Sequence, residues 1–286
     1  MSTEQARVAE ADGVITVTFT RADKLNAISG EMFDALGEAV NALAERDDLR
    51  VLVITGEGPY FTAGFDIAEM RTRSLGEGTD GVIRGSNMRR QYRASARHDF
   101  NDQFELVEKP IVLAAQGHCM GVGIEMGASC DFRLASDGAR FGLPEVGNLA
   151  LIPGAGGISR LTRLVGVHWA KWLVMAGETV DAQEALAMGL VHAVYPASEF
   201  AERVAEFAGK LAKMPREAVG VAKVAIDTAA EVDRRTARDF DRFAQTTLFL
   251  SSEYQDRVHA FLERSAERER QRAAASGTGT GAGSPS

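Results

Sequence analysis

The feature that most constrains this chain is a repeated order: a short β-rich run, a glycine turn, then a stretch of helical spacing. Residues 14–20 (VITVTFT) alternate as a strand does, and 50–55 (RVLVIT) form a β-rich run bounded by Gly56. Between them, Met32, Phe33, Leu36, Val40 and Leu43 recur at the spacing of a helix that buries one face. The order returns at 111–115 (IVLAA), followed by Gly117 and a helix-compatible stretch over 121–130, and 132–135 and 139–143 read as further short strands. Strands alternating with helices cover a sheet from its faces, so the expected class is α/β, built of stacked strand–turn–helix units.

From about residue 153 the pattern turns helical. GAGGISRLTRLVG, HWAKWLVMAG and DAQEALAMG read as short helices closed by Gly166, Gly177 and Gly189. Residues 200–214, 217–230 and a long stretch over 233–270 complete an α-rich final third. The organisation expected is an N-terminal extension over 1–10, a core over 11–195, a helical region over 196–270 and a disordered tail over 271–286. The tail consists of small residues that bury too little apolar area to order themselves. Within the core, residues 71–108 are arginine-rich and lack a clear period in their first half, which reads either as a surface excursion or as a variable lid over a site.

Composition narrows the function. A net charge of -8 opposes a general nucleic-acid or membrane-surface binder, since both partners are anionic. Cys119 and Cys130 lie in an apolar stretch and no apolar leader precedes them, so a reducing, cytoplasmic setting is expected, with no disulfide framework and no membrane span. No GxxxxGK[ST] or GxSxG motif occurs, neither GEGPYFTAG nor GHCMGVG has the GxGxxG spacing, and the histidines are scattered without HExxH, so no metal is expected.

Two turns remain, 56–66 (GEGPYFTAGFD) and 117–125 (GHCMGVGIE), each following a β-rich run. Small residues there let backbone N–H groups approach a ligand, and a helix starting at the turn adds further free donors. Two such turns side by side could hold one developing oxyanion. Glu125 stands alone in its apolar run, and Val122 occupies the position a capping box would give to Ser or Thr. Glu145 is crowded by Phe141, Leu143 and Val146, an expensive setting for an unpaired carboxylate.

RADKLNAI (21–28), YFTAGFDIAEM (60–70), AAQGHCMGVGIEM (114–126), FGLPEVGNLALIPGAGGISRLTRLVG (141–166) and AQEALAMGLVHAVYP (182–196) together resemble the enoyl-CoA hydratase/isomerase, or crotonase, family. The resemblance implies a spiral of ββα repeats, a C-terminal helical region used in trimerisation, a homotrimer or hexamer, and acyl-CoA thioester substrates, with coenzyme A entering as part of the substrate and no separate cofactor. It implies Glu125 and Glu145 as the catalytic pair, and the backbone N–H groups of Ala63 and Val122 as the oxyanion hole. Two neighbouring carboxylates repel when both are ionised, so one can stay a neutral acid beside a charged base. Glu125, in the first turn of a helix, is assigned as base and Glu145 as acid. Coenzyme A contacts are expected at Arg21, Lys24 and Leu25, and along Ala63, Gly64, Phe65, Asp66 and Ile67, with Val122 beside the thioester.

The sequence departs from the family in three places. Val122 replaces a usual glycine, and a β-branched residue resists positive φ, so its amide must come from an ordinary helical or extended conformation. The run between Glu145 and Gly154 is one residue longer than the hydratase pattern, and Arg264 stands where relatives carry a lysine. Hydration of a 2,3-enoyl-CoA is the first expectation because both glutamates are present. A double-bond isomerase or other enolate-forming relative, able to work with Glu145 alone, is the alternative, and a non-catalytic acyl-CoA or RNA-binding relative is the reading from another class.

Overall fold

The computed structural model describes residues 2–69 and 100–277, the last five by backbone alone. The chain divides after Met214 into two compact units.

Among the described residues of the first unit, ten strands form two sheets. The larger has the order β1 (Ala6–Ala11), β2 (Val14–Phe19), β3 (Val51–Gly56), β5 (Ile111–Ala115), β7 (Phe132–Ser136), β10 (Ala193–Tyr195). Among the described residues of this sheet only the β1–β2 pair is antiparallel; β2, β3, β5, β7 and β10 run parallel, with Val17 opposite Ile54 and Ile54 opposite Leu113. The smaller sheet has the order β4 (Tyr60–Thr62), β6 (His118–Met120), β8 (Arg140–Gly142), β9 (Thr179–Asp181). Consecutive strands therefore alternate between sheets: β3 then β4, β5 then β6, β7 then β8. A helix closes the second and third of these pairs, α3 (Val122–Ser129) and α4 (Glu145–Leu149). This is the expected spiral of ββα repeats, and it places the end of each β-pair in one row.

Strand β3 shows why its sequence is apolar without interruption. Leu52 and Ile54 face a core shared with helix α1 (Gly30–Glu45), while Val51 and Val53 face the opposite layer. A parallel strand covered on both sides needs apolar residues at every position. Helix α1 starts where Ser29 Oγ accepts the Met32 N–H, and its buried stripe includes Met32, Phe33, Leu36, Val40 and Leu43, as its spacing predicts. The opposite layer is α7 (Phe200–Ala212), which lays Phe200, Val204, Ala208 and Leu211 on Val51, Val53, Val112 and Leu134.

Four boundaries differ from the sequence reading. Residues 6–10, assigned to an N-terminal extension, belong to edge strand β1. The core does not end at 195, because α7 packs on the sheet, and the division falls after Met214. The last helix continues to Gly277, into the segment read as a disordered tail, and 278–286 lie outside the described residues. Of the segment 71–108, residues 71–99 also lie outside them, and its end forms α2 (Asp102–Leu106), anchored by the buried Phe104.

Helix α5 (Gly157–Val174) is interrupted at Gly166, whose φ of 76 and ψ of 164 break the helical path at the glycine expected to close a helix. Helix α6 (Ala182–Ala187) begins at a capping box of Asp181 and Glu184.

The second unit contains α8 (Arg216–Ala229), α9 (Arg234–Phe249) and α10 (Ser252–Gly277). The long α-rich stretch expected over 233–270 consists of two helices, and the Ser251 Oγ accepts the Tyr254 N–H at the start of the second one.

Candidate active site

Site geometry begins with Gly121. Its φ of 56 and ψ of −124 turn the chain from β6 into α3, a path denied to residues with a side chain. Val122 follows as the first helical residue, so the departure at this position costs no left-handed strain: Gly121 carries the unusual conformation instead. The Val122 N–H, at the start of α3, has no helical acceptor and none elsewhere among the described residues.

The 63–66 loop lies against this turn. A Cβ placed on Gly121 would stand 3.5 Å from Gly64 Cα and 2.8 Å from Glu145 Oε1. Backbone, loop and carboxyl thus meet at one point, and Gly121 is required by that closeness as well as by its dihedral angles. Gly123 is held as tightly, since a Cβ there would come 2.4 Å from Thr62 Cγ2.

One oxyanion assignment is corrected by the hydrogen bonding of this loop. The Ala63 N–H donates to Leu25 O at 2.9 Å and is committed there. Phe65 pairs with Ile28 in a parallel bridge, in which the Ile28 N–H donates to Gly64 O and the Asp66 N–H to Ile28 O. Amides alternate in direction along extended chain. The Phe65 N–H therefore faces away from these partners and has no acceptor among the described residues. Phe65 and Val122 thus each present a free donor, one from each turn.

Glu125 is 3% exposed, on α3, and its Oε2 accepts N–H groups from Ala155 at 2.7 Å and Gly157 at 3.1 Å. The carboxylate thus caps the N-terminus of α5, where the helix dipole favours an anion. Burial nevertheless dominates and pushes its pKa up to about 7; the two amides pull it down, the Glu145 charge pushes it up, and Arg160 pulls it down. Glu145, the first residue of α4, is half-buried, and its pKa is raised by burial. Its Oε2 is buried with no hydrogen-bond partner among the described residues, in contrast to the doubly held Oε2 of Glu125. One carboxyl is braced as an anion, the other left open toward the site.

The expected coenzyme A contacts divide. Arg21 ion-pairs with Asp66 at 2.7 Å and donates to Ala27 O, so it ties the 21–28 turn to the 63–66 loop. Asp66 is correspondingly held below its ordinary pKa by Arg21, and it caps the N–H groups of Ala68 and Glu69. Both are structural in this arrangement. Lys24, Leu25, Ala63 and Ile67 are exposed around the same turn, Gly64 is buried with a φ of 109, and Phe65 packs its ring on Phe33.

Sequence reasoning missed the residues that lock these loops together. Asn26, fully buried at a φ of 51, donates through Nδ2 to the carbonyls of Glu57 and Tyr60. Thr62 Oγ1 donates to Asn26 O and accepts the Gly64 N–H. An Asn flanked by turn residues, a type that tolerates left-handed φ, is the signal that could have found the first.

A family model described as enoyl-CoA hydratase/isomerase matches residues 9–271. The chain belongs to that family. A short-chain-enoyl-CoA hydratase of Clostridium acetobutylicum is 35% identical over 259 residues, 90% of this chain and 94% of the relative. A crotonyl-CoA hydratase of Syntrophomonas wolfei is 31% identical over 92% of this chain and 97% of its own. Among solved structures, an enoyl-CoA hydratase from Bacillus anthracis superposes with a TM-score of 0.81 at 30% identity, covering 91% of this chain and 97% of that one. Among the described residues of this enoyl-CoA hydratase/isomerase family member, no three His, Cys, Asp or Glu side chains are grouped to hold a metal ion, and no helix is long and apolar enough to cross a membrane.

Proposed function

We propose that the protein is an enoyl-CoA hydratase that adds water across the 2,3 double bond of an acyl-CoA thioester. The observation that carries this reading is the convergence at Gly121: the Glu145 carboxyl, the 63–66 loop and the start of α3 all approach one position, with Glu125 electrostatically coupled to Glu145. In this reading the thioester oxygen receives the N–H groups of Phe65 and Val122. As negative charge moves onto that oxygen, donors fixed in place stabilise it without having to reorganise. Glu125 accepts a proton from the water that attacks C3, and Glu145 delivers a proton to C2, giving the 3-hydroxyacyl thioester. A proton then passes from Glu125 to Glu145, directly or through solvent, and restores the pair.

The division of roles follows from hydrogen bonding. Two amides and a helix N-terminus favour the anion of Glu125, while Glu145 Oε2 has no donor and suits a neutral acid. A pKa of about 7 leaves Glu125 ionised in a large fraction near neutrality yet still basic enough to draw a proton from water. In the same reading Lys24, which is exposed, meets an anionic phosphate of the coenzyme. A homotrimeric or hexameric assembly and a cytoplasmic location belong to the same proposal, supported by family membership.

The test is to supply purified protein with crotonyl-CoA and, separately, a 3-enoyl-CoA, and to follow the conjugated thioester absorbance. Loss of absorbance with crotonyl-CoA is expected. A rise with the 3-enoyl thioester and no change with crotonyl-CoA would replace hydration by isomerisation.

A further inference from the structure

The amides that grip Glu125 belong to a turn with its own supports, and these come from a different part of the chain. Asn101, 1% exposed at the start of α2, donates through Nδ2 to Ala155 O at 3.1 Å. Ala155 is the residue whose N–H reaches Glu125 Oε2, so Asn101 and Glu125 hold opposite sides of one residue. Arg160, on the first turns of α5, lies over the same loop: its Nη1 would stand 2.0 Å from a Cβ on Gly156, and it donates to Ala155 O at 3.4 Å. The other side of this guanidinium is forked onto α2, with Nε and Nη2 on Glu105 and Nη2 on Asp102. Helix α2 is itself fixed in the core by Phe100 and Phe104, whose rings pack at 5.3 Å.

We infer that Asn101 and Arg160 are positioning residues for Glu125: they clamp the Ala155–Gly157 turn between α2 and α5 and so keep both amides on the carboxylate. Neither side chain need touch substrate. Among the described residues, the charged groups around Glu125 are Glu145 from α4, Arg160 from α5, and behind Arg160 its partners Asp102 and Glu105 on α2. Loss of either clamp weakens bonds that favour the anion, and loss of Arg160 also removes a favourable charge. Both changes move ionisation of Glu125 in the same direction, toward higher pH.

This inference rests on Glu125 being the base of the proposed hydration, and its test separates the two. Protein labelled with 13C at glutamate carboxyls is titrated by NMR, with the Glu125 signal identified by its loss in Glu125→Gln. The expected result is a midpoint raised by about one pH unit in Asn101→Ala and in Arg160→Met, about a tenfold change in the ratio of ionised to neutral carboxyl at a given pH. Arg160→Lys keeps the charge but lacks the planar fork, and a smaller shift is expected. The acidic limb of kcat/KM should move by the same amount as the NMR midpoint. If Asn101→Ala does not fold, the two Arg160 variants decide the matter. An unmoved midpoint in the folded variants, with activity lowered equally at every pH, would overturn the inference. A shifted midpoint in a protein that hydrates no enoyl thioester would preserve the clamp and refute the proposed function instead.

Discussion

Among single residues, Glu125 is a carboxylic acid kept where ionisation is costly. The folded pKa of Glu125 lies above that of an exposed glutamate, so its contribution to stability is complete below about 4.5 and is lost as pH rises through about 7. The difference amounts to roughly 3 kcal/mol on linkage arithmetic. Replacing Glu125 with Gln removes the ionisation while keeping an oxygen for the Ala155 and Gly157 amides. Thermal melts should therefore show Glu125→Gln gaining on the wild type between pH 5 and pH 8; a difference constant across that range would mean that Glu125 ionises normally. Gly121 gives a second prediction at this scale. Alanine there must enter the position 2.8 Å from Glu145 Oε1 and adopt a positive φ, so Gly121→Ala should lower hydration at least 100-fold, measured on protein whose circular dichroism remains native.

Among the elements, much was legible because burial imposes a period. Helix α1 was readable from Met32 to Leu43, and β3 from its unbroken apolar run, since each meets its packing layer through consecutive residues. Of the three-residue strands, β8 lies within the run read at 139–143, but β4, β6, β9 and β10 were not legible, because a segment that short cannot display alternation; its identity depends on a neighbour far away in sequence. The oxyanion turn failed for the same reason. Ala63 and Phe65 are both plausible donors by composition, and only the pairing of this loop with Leu25 and Ile28 decides which amide is left free. Glu125 and Glu145 stood out because a carboxylate among apolar neighbours is conspicuous, whereas Asn26, Asn101 and Thr62 act through backbone carbonyls and amides that no spacing reveals. Tight approach between turns has its own test. Gly117→Ala would force a Cβ to within 2.1 Å of Pro59 O, a backbone atom that cannot swing aside, and should destabilise the fold by about 2 kcal/mol or more in chemical denaturation.

Over the whole molecule, each unit leaves large apolar side chains in contact with solvent. In the first, Trp172 is 46% and Met175 70% exposed near the end of α5; in the second, Phe243 is 70% and Phe261 63% exposed. Apolar surface on this scale is what association between copies removes from water. Sedimentation equilibrium should accordingly report three or six times the 30.7 kDa of one chain, and a monomer at micromolar concentration would contradict the proposed assembly. The proposed hydration, however, lies within one chain, where two carboxyl groups would act on one water beside the Phe65 and Val122 amides. Its most direct test compares crotonyl-CoA hydration by wild type, Glu125→Gln and Glu145→Gln, with acyl-CoA affinity measured by calorimetry on the same samples. The account predicts that kcat falls by about 100-fold or more in each variant while the dissociation constant changes little. Undiminished hydration in either variant, or affinity lost in proportion to rate, would contradict it.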